Sequence, residues 1–105
     1  MRWYNHLYVG KKAKRRRYAI IQNLREGKFQ PGIHVITPSQ NGNNILDIYP
    51  AFMLYLYPNP DPDLLILGIA ADYREALEVV RIIIDEMYQA TGDFKLELFL
   101  EKKEQ

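Results

Sequence analysis

From Leu64 to Ala70 the chain reads Leu-Leu-Ile-Leu-Gly-Ile-Ala, without one polar side chain, and this run constrains the fold more than any other. It is far shorter than the roughly 20 residues needed to span a bilayer. Apolar on both faces, it reads as a central strand covered on at least one side. Asp72 follows as a helix N-cap, and Glu75 three residues later completes a capping-box-like pair. The helix is expected to run to about Thr91, with Gly92 ending it. Leu77, Val80, Ile84 and Tyr88 form one stripe along it, with Ala76, Val79, Ile83 and Met87 beside them. Glu75, Glu78, Asp85, Glu86 and Gln89 are expected to face outward. From Phe94 to Glu101, Phe94, Leu96, Leu98 and Leu100 alternate with Lys95, Glu97, Phe99 and Glu101, the pattern of a half-buried strand. A strand, helix, strand unit in one sheet is nearly always a right-handed parallel crossover, so residues 64–100 are expected to form one.

Upstream, Arg2 to Val9 reads as a strand with Trp3, Leu7 and Val9 on one face and Arg2, Tyr4, His6 and Tyr8 on the other. Gly10 breaks it. Lys11 to Glu26 reads as a helix with Ala13, Ile20 and Leu24 in a stripe, Ile21 beside them and Gly27 as C-terminal cap. Ile33 to Thr37 and Ile45 to Tyr49 read as antiparallel strands joined through Asn41-Gly42, a hairpin signal. Pro50 to Tyr57 fits a strand or a helical turn equally. Pro58, Pro60 and Pro62 lack the donors that a helix or a central strand needs, so 58–63 is a stiff connector. The expected fold is α+β in a single domain of 105 residues. It has two layers, with two helices on one face of a mixed sheet built from the four or five strand segments above. That is a ferredoxin-like variant with an insertion at 39–63.

The stretch Gly68-Ile69-Ala70-Ala71-Asp72-Tyr73-Arg74-Glu75-Ala76-Leu77-Glu78-Val79-Val80, with Tyr88 and Thr91-Gly92-Asp93, resembles small uncharacterised bacterial α+β proteins. The hairpin region Pro31 to Pro50 is similar to them too, and together these cover about half the chain. The shared pattern is one of helix capping and packing, so the resemblance implies no function.

The residues exclude much common chemistry. No cysteine is present, which removes disulfides, thiolate nucleophiles and cysteine-ligated metals and fits a reducing compartment. Met1 to His6 lacks the apolar run and small-residue cleavage site of a signal peptide, so a cytoplasmic location without membrane contact is expected. Ser39 reads as a turn former without nucleophile-elbow glycines, although His6, His34 and Asp47 are available as helpers. The same two histidines and Asp47 have no metal-ligand spacing. Asp61 and Asp63 lie in an exposed connector and Asp85-Glu86 on a solvated helix face, where nothing separates paired acids into acid and base. Gly27-Lys28 and Gly68 lack the rest of a phosphate-binding loop; Gly68 is better suited to close helix–sheet packing. No catalytic residue, metal or cofactor is expected.

Charge is the remaining lead. Residues 1–25 hold eight cations and no acid, whereas 26–105 hold six cations and all thirteen acids. Lys11, Lys12, Lys14, Arg15, Arg16 and Arg17 crowd the start of the expected first helix. There like-charge pairs at i, i+4 cost about 0.2–0.5 kcal/mol each, and the helix dipole disfavours cations. A compensating anion is therefore expected. Three sources are open: acids Asp85 and Glu86 of the second helix, the acidic side of another copy in a homo-oligomer, or nucleic-acid phosphates. Trp3, Tyr4, Tyr8 and Tyr18 lie near enough in sequence to stack on bases, but no RNP-type signature is present. Separately, 48% apolar residues exceed what so small a core holds, so apolar surface is expected to remain as a contact patch. Phe52, Met53, Leu54, Tyr55 and Tyr57 are the candidate interface. The leading expectation is a non-enzymatic interaction protein that forms a homodimer. The alternatives are a nucleic-acid-binding module using 11–17 and an enzyme holding an anionic small molecule at that basic start.

Overall fold

A computed structural model of the protein describes residues 1–40, 44–56 and 61–104. Strand β1 is Arg2–Val9, followed by a 3₁₀ turn at Lys14–Arg16 and helix α1 at Arg17–Arg25. Strands β2 (His34–Pro38) and β3 (Leu46–Pro50) form a hairpin, and a second 3₁₀ segment covers Ala51–Tyr55. Strand β4 (Leu65–Ala70) leads into α2 (Tyr73–Thr91) and then α3 (Leu96–Glu104). The four strands make one mixed sheet in the order β1-β4-β2-β3. β4 pairs parallel to β1 and antiparallel to β2, and β2 pairs antiparallel to β3 with Val35 opposite Tyr49. The Asn41-Gly42 turn itself lies outside the described residues.

The apolar run at 64–70 is thus the inner strand its composition calls for, flanked by a neighbour on each side. Ile66, Leu67, Ile69 and Ala70 are fully buried. Gly68 sits where three elements converge. A Cβ there would lie 3.1 Å from the Val79 side chain of α2 and 3.2 Å from the Tyr8 carbonyl of β1. The β1–β4 register slips between Trp3 and Tyr8.

Consecutive strand residues point to opposite faces, and Val35 and Ile36 of β2 enter two different cores. Val35 joins Ile66, Ile69, Ala51 and the α1 residues Ile20 and Leu24. Ile36 joins Tyr4, Leu67, Ala70, the α2 residues Ala76, Val79, Ile83 and Met87, and Phe99 of α3. The sheet is therefore covered on both sides, with α1 on one face and α2 and α3 on the other. This corrects the two-layer, ferredoxin-like expectation. The expected crossover over 64–100 does not exist, because the segment meant to close it is α3.

The reason is visible in side chains. As a helix, residues 96–104 bury Phe99 completely and rest Leu96 and Leu100 against the same core. A strand would turn Phe99 to water. Leu, Glu and Lys, which fill most of 95–103, are strong helix formers, and no β-branched residue interrupts them. Inside the sheet β4 already has a partner on each side.

Candidate functional site

The basic run does not begin an α-helix. Lys11 to Ala13 form a turn in which the Gly10 carbonyl accepts from the Ala13 and Lys14 N–H groups at 3.0 and 3.1 Å. The 3₁₀ turn follows, and α-helical geometry starts only at Arg17. The i, i+4 repulsion argument, which assumed a helix from residue 11, therefore does not apply to residues 11–16, and the dipole argument holds only at Arg16 and Arg17, the N-cap and first residue of α1. What fixes the turn is Glu75. Its carboxylate accepts from the Lys12 N–H at 2.7 Å and from the Ala71 N–H at 3.0 Å. Glu75, expected outward, is buried to 9% exposure at the junction of two loops.

Around that junction the cations divide. The Lys12 ammonium pairs with Asp72 at 3.1 Å, so the internal partner is Asp72, and Asp85 and Glu86 do not serve. Both members are well exposed, and such pairs contribute about 0–1 kcal/mol. Asp72 also accepts from the Glu75 N–H at 2.8 Å as N-cap, and this bond, followed by Lys12, lowers its carboxyl below the usual range. The charge of Lys11 adds slightly to the lowering of Glu78, which is due first to its Arg81 hydrogen bond. The Arg17 guanidinium lies 4.9 Å from the Tyr18 ring centroid, and Tyr18 is 74% exposed. Lys14, Arg15 and Arg16 are exposed and enter no ion pair among the described residues.

The candidate interface at 52–57 is divided differently. Leu54 and Tyr55 pack against the α1-side core, and the Tyr55 hydroxyl donates to the Leu24 carbonyl at 2.6 Å. Met53 is half-buried, Phe52 is exposed and so is Leu56. Tyr57 lies outside the described residues. The segment chiefly anchors α1 to the sheet.

Asp47 and His34, weighed above as helpers of a nucleophile or as metal ligands, each have a local partner. The Asp47 carboxylate accepts from the Gln40 N–H at 3.3 Å and the Tyr49 hydroxyl at 3.0 Å. His34 Nδ1 lies 2.6 Å from the Gly32 carbonyl oxygen. In register, His34 stands opposite Pro50 and Asp47 opposite Thr37, at different ends of the hairpin. Among the described residues no group of three histidines and acids can hold a metal.

Two features went unread in the sequence. One is a polar staple on the α3 side, where the Tyr8 hydroxyl donates to Glu86 and the Lys103 ammonium donates to the Tyr8 oxygen at 3.0 Å. Burial, then the Glu86 acceptor, raises the Tyr8 phenol far above its usual range. The staple ties β1, α2 and α3 together. The other is the outer face of α2. Of the two apolar stripes, Ala76, Val79, Ile83 and Met87 are buried. The second stripe has only its inner edge covered. Val80 and Ile84 are half-buried, but Tyr73, Leu77 and Tyr88 are 55%, 48% and 50% exposed. Tyr88 stacks on the exposed Phe94 with ring centroids 5.3 Å apart. These two rings, Ile84, Arg81 and Asp85 enclose a shallow depression of about 370 Å³. The signal for this face was present, since the sequence shows more apolar positions on α2 than one helix stripe against a sheet can bury.

No helix among the described residues is long and apolar enough to cross a membrane. No protein-family model matches the chain, and no curated protein or solved structure matches it.

Proposed function

We propose that this chain is a small cytoplasmic, non-enzymatic interaction protein whose contact surface is the outer stripe of α2. The observation that carries this reading is the continuous exposure of Tyr73, Leu77, Tyr88 and Phe94 beside half-covered Val80 and Ile84. Contiguous apolar surface of this kind marks a contact site, and its aromatic content matches the composition of interface centres. Phe52 and Leu56 lie on the connection after β3, which packs with the α1-side core, and would add at most a second, smaller contact. The test is a photo-cross-linking residue at position 77 in cells that express the protein, with one at the exposed position 28, beyond α1 on the other face of the sheet, as control. A discrete protein adduct specific to position 77 supports the reading. Equal labelling from both positions, or none, contradicts it.

A second reading is supported by a different observation. Lys14, Arg15, Arg16 and Arg17 are all exposed beside the solvent-facing Tyr18 ring, which Arg17 overlies. Phosphate-directed cations next to an open aromatic suit single-stranded nucleic acid. Fluorescence anisotropy with short RNA and DNA is expected to show salt-sensitive binding that Arg15→Glu with Arg16→Glu abolishes. No binding at low salt ends this reading.

A further inference from the structure

We infer that the partner of the α2 outer face is a second copy of the same chain, docked with the two α2 helices antiparallel about a two-fold axis near Val80 and Arg81. The inference deepens the reading of α2 as a contact surface and rests on it.

The first argument is the symmetry of the stripe. Tyr73 and Tyr88 are equidistant from the point between Val80 and Arg81, and so are Leu77 and Ile84. A two-fold axis there sets Tyr73 against the other copy's Tyr88 position and Leu77 against its Ile84 position. Such an isologous contact requires a self-complementary patch, and this stripe is one. Tyr73, 55% exposed and with its ring 5.6 Å from that of His34, lies at one end of the stripe, and the depression between Ile84, Tyr88 and Phe94 lies at the other. Antiparallel pairing brings each Tyr73 to the other copy's depression.

The second argument is charge. At 100° per residue, Arg74, Glu78, Arg81 and Asp85 all fall on the flank of the stripe away from the sheet. In an antiparallel pair that flank meets the same flank of the other copy. Arg74 then comes level with Asp85 and Glu78 with Arg81, each within about a residue of the axis that matches the apolar positions. Within the chain Arg81 already binds Glu78 at 2.6 Å. Arg74 and Asp85 make no ion pair among the described residues. Two copies would give both a partner and join the Glu78–Arg81 pairs into one alternating network. Opposite charges meeting at the rim of an apolar centre fix register and orientation.

The experiment is sedimentation equilibrium of the purified full chain across a concentration series, with circular dichroism confirming the fold of each variant. The wild type is expected to dimerise. Leu77→Glu is expected to raise the dimer dissociation constant by about 30-fold or more, as loss of a central apolar anchor does. Arg74→Asp and Asp85→Arg alone are each expected to weaken it by roughly tenfold, and the double exchange to restore it. Both sites are exposed, so folding is not at stake. A wild type that stays monomeric at about 1 mM overturns the inference. So does a dimer indifferent to Leu77→Glu, or one that the double exchange fails to rescue. A monomer that still gives a position-77 adduct with a different protein in cells refutes self-association and keeps α2 as the contact surface. A monomer with no adduct refutes both.

Discussion

Glu75 shows how one side chain can organise a region that local sequence rules describe only in part. Asp72 caps α2 as the sequence implies, and Glu75 reaches back past the cap to the Ala71 N–H. The same carboxylate also crosses to the Lys12 N–H, and Gly10 makes the room. A Cβ on Gly10 would lie 2.0 Å from Glu75 Oε1. Gly10→Ala is therefore expected to destabilise the fold by about 1–3 kcal/mol, the range of overpacked sites, read as a lower urea midpoint. A paired Gly10→Ala, Glu75→Ala variant should lose little more than Glu75→Ala alone. The spacing Asp72-x-x-Glu75 was legible, yet its partner 63 residues away was not, because nothing in the helix encodes who approaches its start. Tyr8 gives a second residue-scale test, through pH. Its phenol is held neutral in the folded state by burial and by Glu86. Above about pH 10, the ordinary tyrosine value, the unfolded chain releases this proton and the folded chain keeps it. The unfolded state is then favoured, so stability is full below that pH and falls as pH rises. Tyr8→Phe should make that alkaline decline shallower in a denaturation series from pH 8 to 11.

At the scale of elements, the parts with a single strong period were read correctly and those compatible with two periods were not. β1, the hairpin strands, β4 and α2 stand within a residue or so of their expected bounds. Residues 94–101 satisfy alternation and also the helical set Leu96, Phe99 and Leu100, and packing decides between them. The two assignments differ in which side chain is inside. Phe99→Ala is expected to cost about 3–5 kcal/mol and Leu98→Ala under about 0.5 kcal/mol, in chemical denaturation. A strand would reverse the order. The start of α1 was misplaced for another reason. Lys11 to Arg16 have ordinary helix propensity, but Glu75 and the Gly10 carbonyl hold their N–H groups in a turn.

For the whole molecule, the consequence of putting a helix where a strand was expected is a sheet with helices on both faces. The core on one side is completed by Phe99, and α2 is left with an apolar stripe that the chain itself does not cover. The basic turn abuts the first turn of α2 through Lys12, Asp72 and Glu75, whereas the Tyr88–Phe94 pair lies at the other end of that helix; the two candidate surfaces involve different residues and can be tested separately. The surplus of apolar residues was legible as a reason to expect exposed apolar surface. Its location was not, because Leu54 and Tyr55 of the candidate interface at 52–57 are taken up by the α1-side core, and the exposed stripe lies on α2. The most direct measurement of the self-association exploits the absence of cysteine. Spin labels on single-cysteine variants Ile82→Cys and Gln89→Cys, both on the side of α2 away from the stripe, report distances between copies by pulsed dipolar spectroscopy. Antiparallel α2 helices place the two residue-89 backbones about 25 Å apart along the axis, at 1.5 Å per residue, and the two residue-82 backbones only about 5 Å apart along it. A shorter distance at 82 and a clearly longer one at 89 is the expected result. No intermolecular signal, or equal distances at both positions, would contradict it.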